Sequence, residues 1–509
     1  MKNKILDKTN IKSIFNKLLI IIIILIMVLS ISTIFLHSPF SKVFPWMDSS
    51  AFLYMGKAIL NGKIIYIDIF DHKGPFMFII QAMGMLLSER IGVWIIEMLS
   101  LFIFYFMMYK TLILIFNKKI ALLSLLTLTI FAPFYTNIGN YTETFSLSLI
   151  SISLYIFIKY LIEKEKKMPI YCSGIIGITL MLTLLIRLNN AIMWVIFCPL
   201  MFFYYIFTKR YKEAIKLFVG VIIGMLIAFI PFAIYFSINN AWSEFFFQYI
   251  ILNLKYIGGG NKVESMIFFL KTPATILVLL PIVLLLFRNV REQVKKNNVL
   301  FITSYIYYIL TFLCVILSGF EYPHYGVLLF PCYVISFGYL YYFLHLIIEK
   351  YLKEKNISGL YIINILILIL ALSVCLFQNN IFNYYKSHWY VFANDNARSE
   401  LYELADIVEE NTDNEDEIIV FGNYPELYLI SDRYSSSKYF QLNWSSFSEN
   451  EKIVNEFLSD LSSDKTKLFV INKNFMDNKF KEILEDEYNL ILTTNDGYEV
   501  YKRLSDNNG

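Results

Sequence analysis

Of 509 residues, 57% are apolar and 17% charged, with a mean hydropathy of +0.56. A chain this greasy is not one soluble domain, its length exceeds a single membrane span, and both disorder and a soluble enzyme are excluded. The net charge of +3 conceals a basic first part and an acidic tail, which from Val391 onward carries about 25 acids against 11 bases. The bases of the first part sit in short loops between apolar runs, where membrane topology accounts for them, so no nucleic-acid partner is expected.

Apolar runs near the roughly 20 residues that span a bilayer fall at Ser13–Leu36, Gly92–Phe116, Ile120–Tyr135, Thr144–Ile162, Ile170–Ile186, Ala191–Phe207, Ile215–Ser237, Pro273–Phe287, Val299–Ser318, Tyr325–Ile348 and Ser358–Phe377. They predict a polytopic α-helical membrane protein of about 11 spans, give or take one or two. Alternate loops are basic, at Lys2–Lys17, Lys118–Lys119, Lys164–Lys167, Lys209–Lys216, Arg288–Lys296 and Lys350–Lys355, and these are assigned to the cytoplasm. The expected localisation is the cell membrane, with a cytoplasmic N-terminus and an extracytoplasmic C-terminal domain. The first run is long and lacks a small-residue cleavage site, so an uncleaved helix is expected there. All five cysteines, Cys172, Cys198, Cys314, Cys332 and Cys375, lie within apolar runs, which leaves no disulfide framework outside.

The chain divides into a membrane part, residues 1–378, with a long first outward loop at 37–91, and a tail at 379–509. A connector of about 55 residues is long. Its runs Ala51–Leu60 and Phe76–Leu87 read as short interfacial helices, roofing a cavity. The loop carries Asp48, Asp68, Asp71, His72 and Lys73, with Tyr54, Tyr66 and Trp46 as aromatic candidates for stacking on a ligand ring, though most aromatics of the chain read more simply as lipid-belt and core residues. Taken singly, each polar residue is also readable as a solvated interfacial side chain. Other outward ends add Asn137, Asn140, Thr142 and Glu143, then Arg187, Asn189 and Asn190, then Glu321, His324 and Tyr325. Ionisable groups at membrane depth cost on the order of 3 kcal/mol on insertion scales, so they generally face a cavity or a partner. Three plainer readings stay open: Glu143 as a helix N-terminal charge, Arg187 as partner of an outward acid, and His324 as a hydrogen-bonded interfacial residue.

The tail reads as an α/β domain of about 110 residues. Helical spacing at Asn396–Asn411, Glu449–Leu461 and Phe475–Glu485 alternates with strand-like runs at Ile418–Phe421, Leu468–Ile471, Leu490–Thr493 and Tyr498–Tyr501. The last two runs flank the turn signal Asn495-Asp496-Gly497. No phosphate loop or nucleophile motif occurs in the tail, so no chemistry is assigned to it.

Asp48 followed by Tyr54, the Gly62-Lys63-Ile-Ile-Tyr66 turn and Asp68 to Pro75 resemble the first outward loop of the type C membrane glycosyltransferases (GT-C). The branch concerned holds protein O-mannosyltransferases, the lipid A aminoarabinose transferase and RgtA/B/C/D-like transferases. Asn140-Tyr-Thr-Glu143, Arg187-Leu-Asn189-Asn190 and His324-Tyr325 resemble motifs of its bacterial members, and Ile418–Gly422 with Tyr428–Arg433 is similar to their extracytoplasmic domain. The resemblance implies a glycosyltransferase that moves a hexosyl or pentosyl group from a polyprenyl-phosphate carrier to an outward hydroxyl, with inversion. Acceptors in that class are cell-envelope glycans, teichoic-type polymers, lipids or proteins. It implies Asp48 as catalytic base, Lys73, Arg187 and His324 on the donor phosphate, and Tyr54, Asp68, Asp71, His72, Asn140, Glu143, Asn189 and Tyr325 in binding or support. Two departures stand out: Ser49 replaces the second acid, and Gly74-Pro75 replaces the usual Pro-Pro. The first lowers the expectation of a metal, so the polyprenyl-phosphate sugar is the only co-substrate implied, with membrane lipids as surroundings.

The chemistry fits these residue types by itself. A hydroxyl nucleophile wants one carboxylate as general base, and a phosphate leaving group wants cations more than a proton donor. A glycosidase would pair two carboxylates, for which Asp68 or Asp71 is available. The rival functions are a transporter or flippase of lipid-linked sugars and a polymerase or ligase of lipid-linked glycans. The first calls for broken helices and repeat symmetry. The second calls for an arginine-rich late outward loop, which Asn239–Lys271 is not.

Overall fold

The computed structural model describes residues 8–352, except 137, 164, 257–259 and 297, and residues 399–504, except 423 and 443–449. The expected span Ser358–Phe377, with Cys375, lies outside the described residues, as do Asn137 and the expected boundary at 378/379. Eight helices among the described residues are long and apolar enough to cross a bilayer: Ser13–Ser32, Glu89–Ile115, Lys118–Thr136, Thr142–Ile162, Leu188–Phe207, Tyr211–Ile238, Asn298–Ile316 and Pro323–Lys350. They coincide with eight of the eleven expected runs.

Two expected spans take other forms. Ile170–Leu184 is an apolar helix of 15 residues. The run predicted at Pro273–Phe287 is the second arm of a bent pair, Lys262–Leu270 and Ala274–Leu286, which meet at 72°. Thr272 marks the break, its hydroxyl bonded to the Phe269 carbonyl at 2.9 Å and so competing for the carbonyls that would continue the helix.

The described residues group into two compact units, one drawn from Met1–Phe35, Ile95–Ala233 and Lys255–His388, the other from Leu36–Trp94, Ile234–Leu254 and Trp389–Gly509. In the first, Pro323–Lys350 is the central helix, with 89% of its apolar window buried, against 22% for Ser13–Ser32. Polar contacts between helices, such as Ser153 Oγ with Thr179 Oγ1 at 2.6 Å and Trp194 Nε1 donating to Ser153 Oγ at 3.1 Å, add to close packing in holding the bundle together. A close approach joins Ile170–Leu184 to the Tyr211–Ile238 helix through glycines three apart on the first, Gly174 and Gly177, and four apart on the second, Gly220 and Gly224. A Cβ on Gly224 would stand 2.0 Å from the Gly174 carbonyl oxygen, and one on Gly177 would stand 2.0 Å from that of Val221. Gly224→Leu is therefore expected to push the helices apart and lower stability by about 1–3 kcal/mol, read as a fall in the thermal midpoint in detergent. Gly62→Ala, at a φ of +82° but in open space, supplies the comparison without helix overlap.

In the second unit the first outward loop folds into two packed helices, Asp48–Leu60 and Pro75–Leu87, as the runs within 37–91 predict. They touch at Gly56, where a Cβ would lie 2.8 Å from the Gln81 carbonyl carbon. The tail supplies helices Ser399–Asn411, Glu426–Ile430, Glu451–Leu461 and Asn478–Glu487, with strands β1 (Glu417–Phe421), β2 (Tyr434–Ser435), β3 (Thr466–Asn472), β4 (Tyr488–Thr493) and β5 (Tyr498–Arg503). Their order is β2-β1-β3-β5-β4. β1 runs parallel to β2 and β3, with Val420 opposite Val470, while β5 is antiparallel to β3 and β4. The β4–β5 hairpin closes where Gly497 adopts φ 85°, a conformation that favours glycine. Phe421, Phe457, Phe469, Ile471 and Phe480 form the core between sheet and helices, and Phe70 of the first loop packs against it. The Phe70 N–H also donates to the Lys438 carbonyl at 2.9 Å, so loop and tail share backbone pairing as well as a core.

Candidate functional site

Asp48 opens its helix, in the first turn, where unpaired N–H groups favour a carboxylate. The residue before it, Met47, has φ 55° and ψ −136°, a left-handed backbone costing a non-glycine residue about 1–3 kcal/mol. Asp48 is half-buried, and no hydrogen bond or ion pair among the described residues engages its carboxylate. One turn later the same helix face carries Phe52, and the Lys73 ammonium lies 5.7 Å from the centre of that ring.

Lys73 is fixed from several sides. Asp71 Oδ1 accepts the Lys73 backbone N–H at 2.6 Å and faces its ammonium at 4.0 Å. The ammonium contacts His72 Nε2 at 3.0 Å, so that ring nitrogen is the acceptor. Tyr66, also at positive φ, donates its hydroxyl to the Lys73 carbonyl at 2.7 Å. Asp71, His72 and Lys73 are therefore brought together. Asp68 has another place: it is exposed, and its carboxylate accepts the Ile64 N–H at 2.7 Å, locking the turn between the two helices. Tyr54 also differs from the expected sugar platform. Its ring is 3% exposed, packed 4.9 Å from Tyr428 and 4.6 Å from Phe440, with its hydroxyl accepting the Ser435 N–H at 2.8 Å. Burial raises that hydroxyl well above the usual tyrosine range, keeping it neutral.

The remaining expected residues belong to the helical unit. Glu143 sits in the first turn of Thr142–Ile162 and pairs with Arg187, while the Thr142 hydroxyl donates to its other oxygen at 2.9 Å. The Arg187 guanidinium also stacks 4.6 Å from the Tyr325 ring centre. Two of the plainer readings, Glu143 as a helix N-terminal charge and Arg187 as partner of an acid, are thus realised in one contact. His324 stacks on Tyr141 at 4.2 Å and meets Tyr325 edge-on at 4.7 Å. Asn140, at φ 60°, donates its backbone N–H to both oxygens of Glu97, at 3.0 and 2.9 Å. Asn189 is exposed, and its carbonyl accepts from Cys314 Sγ at 3.6 Å.

Three supporting residues escape the sequence reading. Glu97, wholly buried, anchors the turn that precedes Glu143. Gln248 bridges the loop unit by donating to the Tyr66 carbonyl at 2.7 Å and accepting the Asp71 N–H at 3.2 Å, and Asn253 donates to the His72 carbonyl at 2.6 Å. Each is a lone polar residue within an apolar stretch, and that oddity is the available signal. Gln248 lies in a π-helical segment, Phe246–Ile251, a form that is frequent at functional sites. Among the described residues no group of three or more His, Cys, Asp or Glu is placed to hold a metal ion.

The architecture is GT-C-like in fold. Two solved structures of ArnT from Cupriavidus metallidurans share it at a TM-score of 0.59 and 11% identity. The apo form is covered to 98% by 97% of this chain, and the form bound to undecaprenyl phosphate to 98% by 96% of this chain. No curated protein matches the sequence itself. The chain belongs to the family described as "Putative competence-induced protein Ccs4", whose N-terminal domain matches residues 7–337 and whose C-terminal domain matches residues 398–504.

Proposed function

We propose that this protein is an integral membrane glycosyltransferase that moves a sugar from a polyprenyl-phosphate carrier to an outward-facing hydroxyl, with Asp48 as general base. The observation that carries the reading is the arrangement in the first loop: a half-buried carboxylate, engaged by no hydrogen bond or ion pair among the described residues, at a helix start, and Lys73 over Phe52 one turn along. Asp48 takes the acceptor proton as the acceptor oxygen attacks the anomeric carbon. The bond from that carbon to the phosphate oxygen breaks, and the carrier leaves as a phosphate monoester. Lys73 balances the charge gathering on that phosphate. In-line attack inverts the anomeric centre. The ArnT fold supports this reading, and one ArnT structure carries undecaprenyl phosphate, the leaving carrier that the reaction requires. The rest of the chain's chemistry agrees: with one carboxylate engaged in a turn, Asp68, and one holding Lys73, Asp71, the paired acids of a glycosidase are otherwise employed.

The test uses the full chain in lipid vesicles, polyprenyl-phosphate sugars labelled in the sugar, and a cell-envelope extract as acceptor. Label should pass from the lipid fraction to an acceptor for at least one donor. Movement of intact labelled lipid between leaflets without loss of sugar would favour translocation, and block transfer of an oligosaccharide from a diphosphate carrier would favour a polymerase or ligase.

A further inference from the structure

Ser50, Tyr54 and Lys57 of the Asp48–Leu60 helix stand at i, i+4 and i+7, on one face. The tail segment 426–440 holds all three. Ser50 Oγ lies 3.0 Å from Glu426 Oε2 and 2.8 Å from the Met47 carbonyl, so one O–H is shared between a tail carboxylate and the residue with the strained backbone. Ser50 is wholly buried and Glu426 1% exposed. Tyr54 packs against Tyr428 and Phe440 and accepts the Ser435 N–H. Lys57 pairs with Asp432 at 2.6 Å and donates to the Tyr428 carbonyl at 3.2 Å. At about 100° per residue this face lies roughly 180–240° around the helix from Asp48. The tail grips the back of the helix and leaves the Asp48–Phe52 side to the loop.

The gripping segment is itself braced. Buried Arg433 donates to the Thr412 hydroxyl and carbonyl, each at 2.9 Å, and to the Ser431 carbonyl at 2.9 Å. Tyr428 accepts the Val420 N–H of β1 at 2.7 Å. Forces on the helix are thus carried into the sheet. A backbone in a sparsely populated conformation persists only where its surroundings over-determine it, and a buried carboxylate is a costly group to place where packing alone is wanted.

We propose that the tail is a positioning clamp for the base: Glu426, through Ser50, holds the Met47–Asp48 turn in the conformation that presents Asp48 to the acceptor hydroxyl. The inference rests on the reading of Asp48 as base and gives the tail a part in the reaction without chemistry of its own. Glu426 and Ser50 are positioning residues. Losing either contact leaves the donor site intact and lets the Asp48 turn relax.

The experiment compares full-length wild type, Ser50→Ala and Glu426→Gln in lipid, measuring kcat, donor KM, thermal midpoint and amide hydrogen exchange over residues 47–54. Ser50→Ala is expected to lower kcat about ten- to a hundredfold with donor KM within about twofold, a lowered midpoint because the buried Glu426 carboxylate loses a donor, and faster exchange confined to the turn. Glu426→Gln, which keeps an acceptor for the serine, is expected to retain most activity. Should Glu426→Gln misfold the tail, Ser50→Ala carries the test alone. Unchanged kcat and unchanged exchange in Ser50→Ala would overturn the clamp. A wild type inactive with every donor would instead overturn the transferase reading, and faster exchange in Ser50→Ala would then still separate the contact from the chemistry.

Discussion

Asp48→Asn is expected to lower sugar transfer by about 10²–10⁴-fold, the usual worth of a positioned general base, while leaving the protein as stable as wild type. The structure motivates both halves. Asp48 begins a helix that Ser50, Tyr54 and Lys57 anchor from the far side, and its own carboxylate joins no hydrogen bond or ion pair among the described residues. Replacing it by an amide of the same shape removes a proton acceptor and breaks no internal contact. Steady-state transfer and the thermal midpoint, measured on the same preparation, check the prediction. Transfer within about twofold of wild type would remove Asp48 from the chemistry.

Glu143→Ala is expected to have the largest effect on stability. Glu143 and Arg187 are 2% and 13% exposed at their side chains. Removing one partner of a buried pair strands the other charge, at about 3–5 kcal/mol. Arg187 would keep the Tyr325 ring, which offsets part of this, on the order of 1 kcal/mol. Adding Arg187→Met to Glu143→Ala should recover much of the loss, because the stranded guanidinium is then gone. The midpoint of the single and double variants in detergent decides it, and a single variant within about 0.5 kcal/mol of wild type would show that the pair holds little.

Much of the fold is legible in the sequence because its determinants are local. Eight spans, both loop helices and four strands follow from hydrophobic runs and their spacing, and Asn495-Asp496-Gly497 marks the hairpin that joins β4 to β5. The exceptions are local: the bend at Thr272 joins the Pro273–Phe287 run to a preceding helix, Lys262–Leu270, that reads as part of an outward stretch, and β2, only two residues long, carries no periodicity to read. The site is less legible because partners lie far along the chain. Ser50 and Glu426 are 376 positions apart. Tyr54, an aromatic in a polar loop, reads as a sugar platform, yet its surroundings are rings of the tail. Asp68 reads as a carboxylate free for chemistry, yet it closes a turn on Ile64. A residue type announces what chemistry is available, while burial and partners decide whether that chemistry is already committed. Gln248, Asn253 and Glu97 show the converse, since their importance comes from backbone groups they satisfy and not from any motif.

The most direct measurement of the central claim is the stoichiometry of carrier release. Vesicles holding wild type or Asp48→Asn would receive a doubly labelled polyprenyl-phosphate sugar, with free carrier phosphate and acceptor-bound sugar followed together. The account predicts one carrier phosphate released for each sugar transferred by the wild type, and loss of both signals in Asp48→Asn. Sugar that stays on its carrier in the wild type, or equal release by both proteins, would contradict it.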